Sequence, residues 1–270
     1  MKQRKLDTRN YYNQDKTDMF GMANMEDVKD WIESNYGVTV IFMVVTGSHM
    51  WNLADKSADL DVRGYYVKPT EQVLSIHKGR DTIEANKIMD KELDIQFYEI
   101  EKGLRLTFNG NGNMIEMIGS PTIFYKDKTI DWRIIYRKSL CKNLGNYYKG
   151  YAHNQRKRAA ANRGGKALLY TYREIMAGTW LMRTGKIVYD FTKLKPNFEK
   201  YYGWHSKLLD WAIVNKTTAV TSEVWDKSFL KEWEYLLRIF EDERGRSQLP
   251  DKNENYYLFN EILLDLRKKY

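Results

Sequence analysis

The residues of this 270-residue chain whose types and spacing could do chemistry sit in one stretch. Thr46-Gly47-Ser48-His49 is followed, eleven residues after the serine, by Asp59-Leu60-Asp61-Val62-Arg63-Gly64. A glycine lets the backbone approach a ligand closely, and a helical turn after it would aim free amides and the Ser48 hydroxyl at an anion. Gly47 and Ser48 are therefore read as a phosphate seat. Residues two apart on a strand share a face, so Asp59, Asp61 and Arg63 are expected to project together while Leu60 and Val62 turn inward. Two adjacent carboxylates repel unless a cation lies between them, and hard oxygen donors suit Mg2+, with Mn2+ as the substitute. Each half alone is unspecific, because Gly-Ser is common and an Asp-X-Asp is more often a solvated strand edge. The ordered pair is far more specific, and it points to phosphoryl chemistry.

The elements that must position these groups follow from hydrophobic patterning. Val38 to Val45 is an apolar run of mostly β-branched residues, too short for a typical core helix, and it reads as a buried strand ending at Gly47-Ser48. Before it, Met25 to Tyr36 carries Val28, Trp31 and Ile32 at helical spacing, with Gly37 as its stop. After the aspartates, Tyr65-Tyr66-Val67 completes a second strand that Lys68-Pro69-Thr70 breaks. Glu71 to Lys78 is helix or loop, and a charged turn at Asp90-Lys91-Glu92 joins two extended segments, Asp81 to Met89 and Leu93 to Tyr98. In the latter, Leu93, Ile95 and Phe97 alternate with Asp94, Gln96 and Tyr98, which turns Asp94 away from the core. Glu99 to Phe108 reads as a helix, Asn109 to Asn113 as a loop opening a short helix through Ile118, and Ser120-Pro121 as the end of an α/β unit.

At the Gly-Ser and Asp-X-Asp residues the chain resembles the nucleotidyltransferases of the DNA polymerase β superfamily. Asp59-Leu60-Asp61-Val62-Arg63-Gly64-Tyr65-Tyr66-Val67 is similar to the bacterial, archaeal and phage branch whose members accompany RNA ligases in RNA repair. The resemblance continues through Asn109-Gly110-Asn111-Gly112-Asn113-Met114-Ile115-Glu116 and more loosely to the helix from Lys166. It implies a polymerase β-like core with a mixed sheet, two Mg2+ ions bridged by Asp59 and Asp61, and a third carboxylate on a neighbouring strand, matched here by Asp94. Arg63 would join the nucleotide-binding groups. The branch has a small or basic residue after Gly-Ser and a glycine three further on, where this chain has His49 and Asn52. Asparagine tolerates the left-handed backbone better than most residues, so the turn is expected to survive.

The remainder is read as mostly helical. We expect an N-terminal arm over residues 1–22, a catalytic domain over 23–130 and a helical domain over 131–270. The whole chain carries 44 basic and 36 acidic residues, a net charge of +8. Residues 131–180 hold eleven basic side chains against Asp131 and Glu174, a net +9, and suit a polyanion as well as a solvated helical face. Within them, Tyr147-Tyr148-Lys149-Gly150-Tyr151 and Arg156-Lys157-Arg158 interleave aromatic and cationic groups that could stack bases and hold phosphates. On the helix from Gly165, Leu168, Tyr172, Ile175, Met176 and Thr179 share one face. Lys166, Tyr170 and Arg173 fall nearly opposite, as a stripe that could reach a triphosphate. Trp204, Trp211, Trp225 and Trp233, with several leucines, read as core. None of the four histidines has metal-ligand spacing.

Cys141 is the single cysteine, which excludes an internal disulfide and fits a reducing cytoplasm. No apolar run approaches the roughly 20 residues of a membrane span. The expected function is transfer of an NMP from an NTP to a hydroxyl, with RNA as acceptor, a tRNA or a broken RNA end among the candidates. Two other readings stand beside it: AMP transfer to a protein or small molecule, and a catalytically silent nucleic-acid-binding protein.

Overall fold

The computed structural model describes residues 25–55, 58–88, 91–162, 164–217 and 228–270. The expected arm over 1–22, Asp90 of the charged turn and Trp225 lie outside the described residues. Helix α1 (Met25–Tyr36) buries Met25, Val28 and Ile32 and stops at Gly37, whose φ of +61° is the left-handed conformation expected of a C-terminal glycine.

Strand β1 (Thr39–Val45) is buried from Val40 onward. Its two faces pack into different clusters, Val40, Met43 and Val45 toward α1, and Ile41, Phe42 and Val44 toward the opposite side. A strand covered on both faces reads as a continuous apolar run instead of an alternation. Each such side chain contributes about 1.5–3 kcal/mol of burial. After the short turn α2 (Gly47–Met50) come β2 (Asp61–Val67), α3 (Thr70–Leu74), β3 (Thr82–Ile88), β4 (Lys91–Glu99), α4 (Ile100–Phe108), α5 (Gly112–Ile118) and β5 (Ile123–Lys126). The five strands form one mixed sheet in the order β3-β4-β2-β1-β5, with β2 and β4 parallel and the other pairs antiparallel.

Two expectations shift. The β2 ladder begins at Asp61, so Asp59 lies in the irregular segment before the strand and not within its pleat. Strand β5 is absent from the sequence reading, because four edge residues, three half-buried and Lys126 exposed, are too few for an alternation to register. It pairs with β1 through Phe42↔Lys126 and Met43↔Tyr125.

From Trp132 the described chain is helical: α6 (Trp132–Ser139), α7 (Leu144–Asn162), α8 (Gly165–Thr184), α9 (Phe191–Tyr202), α10 (Lys207–Val214), α11 (Ser228–Arg246) and α12 (Tyr256–Lys269). Helix α8 is the axis, packed by α7, α10 and α11. Its core includes Met50, Trp51 and Ile115 from the sheet-bearing half. Helix α12 returns to the sheet, where Phe259 and Leu266 join Ile41, Phe42 and Val44. No helix among the described residues is long and apolar enough to cross a membrane.

Candidate active site

Gly47 stands where β1 ends, with φ at +63°. A Cβ built on it would lie 2.1 Å from Oδ2 of Asp61, so the position requires glycine for its backbone angle and for space. The turn closes through Trp51 N–H to Gly47 O at 3.2 Å and Leu53 N–H to Ser48 O at 2.9 Å. Asn52 does adopt the left-handed conformation, at φ +56°, so the asparagine serves where the resembling branch has glycine. Gly47, Ser48, Asp59 and Asp61 line one cleft of about 630 Å³.

Parallel pairing sets Asp61 directly against Asp94 on β4. Between them lies Arg63, its Nη2 3.0 Å from Asp61 Oδ1 and 2.9 Å from Asp94 Oδ2, while Nη1 donates to the Asp94 carbonyl at 2.5 Å. Burial raises the Asp61 carboxyl above its ordinary value; the Arg63 guanidinium opposes the rise, and the Asp94 and Asp59 carboxylates add to it. Hard, mutually repelling donors of this kind are the type that could hold a divalent cation, and Asp59, Asp61 and Asp94 are the residues that would do so. The three aspartates are not drawn into a closed cage, and Arg63 supplies positive charge between two of them. Among the described residues, the three-ligand group within 4.8 Å is instead Glu199, His205 and Asp210. That group is already neutralised, since Lys195 pairs with Glu199 at 2.7 Å and with Asp210 at 3.0 Å.

A glycine turn pressed against the first strand aspartate, with a second carboxylate in register on the parallel neighbour, is the geometry the sequence resemblance implied. Residues 23–265 match the family described as "RlaP: RNA repair pathway DNA polymerase beta family". The chain belongs to that family. It is also 32% identical over 170 residues to the uncharacterized protein YcgL of Bacillus subtilis (strain 168), an alignment covering 60% of this chain and 64% of that protein.

In this family member the far wall of the cleft comes from the helices. Lys166 and Tyr170 of α8, two members of the expected stripe, line it. Arg173 does not present a free cation there: it is fully buried, its Nη1 2.5 Å from Glu174 Oε1, its Nη2 2.9 Å from Glu116 Oε1 and its guanidinium 4.1 Å from the Trp51 ring centroid. The expectation failed because α8 is buried around most of its circumference, so the polar side of its sequence pattern meets protein. A buried guanidinium persists only when paired, which the two glutamates accomplish.

Other cleft residues were missed or undervalued. Lys216 reaches the cleft from beyond α10, its ammonium donating to Leu53 O at 2.9 Å and pairing with Asp55 at 3.1 Å. No local pattern could reveal a partner more than 150 positions from Gly47-Ser48. Glu116, Met114 and Met117 of α5 and Tyr151 of α7 complete the wall. Of the basic triplet on α7, Lys157 and Arg158 are exposed, whereas Arg156 is half-buried with its guanidinium 5.5 Å from the Trp233 ring centroid.

Proposed function

We propose that this protein is a metal-dependent nucleotidyltransferase that moves an NMP from an NTP to a hydroxyl group, with an RNA 3′ end as the acceptor, and releases pyrophosphate. The observation that carries this is the contact of Gly47 with Asp61 together with the registered pairing of Asp61 and Asp94. Gly47 and Ser48 hold the β and γ phosphates, and Lys166 and Lys216 add positive charge from the facing wall. Divalent ions at Asp59, Asp61 and Asp94 would neutralise the phosphates and stabilise charge on the entering and leaving oxygens. Asp94 lies beside the acceptor hydroxyl and favours loss of its proton. That oxygen attacks the α phosphorus in line, the new P–O bond forms, and the bond to the pyrophosphate oxygen breaks. Most of the acceleration is then positioning and charge stabilisation. RNA is favoured by the family and by the net +9 over residues 131–180.

The test is incubation with each labelled NTP and Mg2+, in the presence of RNA, DNA or neither. Label should enter RNA with release of pyrophosphate, and Asp59→Ala or Asp61→Asn should reduce this at least 1000-fold, on the order of 4 kcal/mol of lost transition-state stabilisation, with unchanged melting. Label entering a protein or small molecule instead would replace the RNA reading with AMP transfer. RNA binding without pyrophosphate release from any NTP would leave a silent binding protein.

A further inference from the structure

Glu116 is 3% exposed, yet it lines the cleft, and the transfer chemistry above makes no use of it. Both hydrogen bonds it receives from described residues fall on one oxygen: the Tyr148 hydroxyl donates to Oε1 at 2.7 Å, and Arg173 Nη2 donates to the same atom at 2.9 Å. Arg173 is itself fixed by Glu174 and by the Trp51 ring, so one of the two donors that hold the carboxylate is locked in place. Keeping a carboxylate almost wholly buried costs several kcal/mol before compensation. Pairing with Arg173 and Tyr148 accounts for Oε1 alone. A second oxygen without a donor among the described residues, at the edge of a ligand cleft, therefore has a use as an acceptor.

The neighbours limit what it accepts. Helix α5 brings Met114 and Met117 to the same wall, and α7 brings Tyr151, a thioether and aromatic surface suited to a flat heterocycle. The cleft's cations Arg63, Lys166 and Lys216 come from other elements, as do Gly47 and Ser48 of the α2 turn. A triphosphate placed against Glu116 would meet like charge in a partly desolvated site. The nucleoside end would meet an acceptor that complements its hydroxyl and amino groups.

We propose that Glu116 is the specificity-determining residue for the nucleoside of the substrate. One of its carboxylate oxygens accepts a hydrogen bond from a ribose hydroxyl or an amino group of the base, and Arg173 is the positioning residue that holds it. This rests on the nucleotidyltransferase reading and deepens it by fixing which way the NTP lies: phosphates at Gly47-Ser48, nucleoside at α5. A site built to bond a donor rejects the analogue that lacks it, because the buried acceptor is then left unpaired.

The test measures Mg2+-dependent binding of the four NTPs, their 2′-deoxy counterparts and inorganic tripolyphosphate to the full chain, comparing wild type with Glu116→Gln and Glu116→Asp. Glutamine keeps the shape but replaces the acceptor oxygen with a donor. Aspartate keeps the charge that pairs Arg173 but withdraws the oxygens by one methylene, and it serves if the glutamine variant does not fold. The expected result is a wild-type preference of roughly tenfold to hundredfold, the range a hydrogen bond to a charged group supplies. The preference should collapse in the variants while tripolyphosphate binding is retained. Loss of ribo-over-deoxy preference assigns a ribose hydroxyl, and loss of ranking among bases assigns an amino group. Unchanged NTP preferences in a folded variant would overturn the role of Glu116 and leave the transferase reading in place. Failure of wild type to bind either NTP or tripolyphosphate would overturn both.

Discussion

At the scale of single residues, the site is set by contacts too close for any other side chain. Gly47 is the strongest case, because φ at +63° and the 2.1 Å approach of Asp61 Oδ2 act together. Gly47→Ala places an L-residue in the left-handed region at about 1–2 kcal/mol and forces the Asp61 carboxyl aside. Transfer should fall at least 100-fold, about 2.7 kcal/mol in the transition state, and melting should fall only by a few degrees. Wild-type turnover in this variant would show that Asp61 need not stay where the glycine admits it. Ser48 is 8% exposed, and in the proposed reaction its hydroxyl would bind phosphates that contribute mainly to ground-state binding. Ser48→Ala should therefore raise KM for NTP more than it lowers kcat. A collapsed kcat at unchanged KM would move Ser48 to the reacting phosphorus.

At the scale of elements, much of the frame was legible in the sequence, and the failures have physical causes. The helix over Met25–Tyr36 and the buried strand before Gly47 are long enough for periodicity and glycine signals to agree. Asp94 was legible because Leu93, Ile95 and Phe97 alternate with it, although its pairing with Asp61 is a matter of strand order that no local pattern carries. The role of Arg173 was misread for the opposite reason: helical spacing reports which residues share a face and not what covers that face. Strand β5 and the return of α12 were beyond local reading. Their junction is Asp127, which accepts from Lys269 Nζ at 2.6 Å, from the Tyr270 hydroxyl at 2.7 Å and from Thr129. Burial pushes the Asp127 carboxyl up, but the Lys269 ammonium and the Thr129 and Tyr270 donors outweigh it and hold it well below the usual range. A depressed carboxylate stabilises the fold above its unfolded value, near 4, and loses that contribution as pH falls toward its folded value. Asp127→Asn should lower Tm at pH 7 by roughly 2–4 °C, the shift that about 1 kcal/mol gives in a chain of this size. The gap from wild type should shrink below about pH 4. A gap that persisted unchanged into strong acid would mean that packing of α12, and not the ion pair, secures this junction.

At the scale of the whole molecule, charge is segregated: residues 1–130 carry 17 basic and 20 acidic side chains, while residues 131–180 carry a net +9. The structure redistributes that excess. Arg173 is neutralised by two glutamates, Lys149 pairs with Glu241 at 2.5 Å, and Arg156 faces the Trp233 ring. Lys157 and Arg158 are the exposed members of the triplet, and we propose them as its phosphate contacts. A polyanion held by this segment should bind with log K falling linearly in log salt, and each lost contact to a single strand should flatten the slope by about 0.7. Replacing Lys157 and Arg158 together by alanine should therefore reduce the slope by roughly 1.4, and adding Arg156→Ala should change it by less than another full contact. The same double variant should weaken transfer to RNA while sparing tripolyphosphate binding, because the proposed phosphate seat is Gly47-Ser48 and not this turn of α7. An undiminished slope with impaired transfer would place the RNA elsewhere on the molecule, and equal loss of tripolyphosphate binding would make the segment part of the nucleotide site.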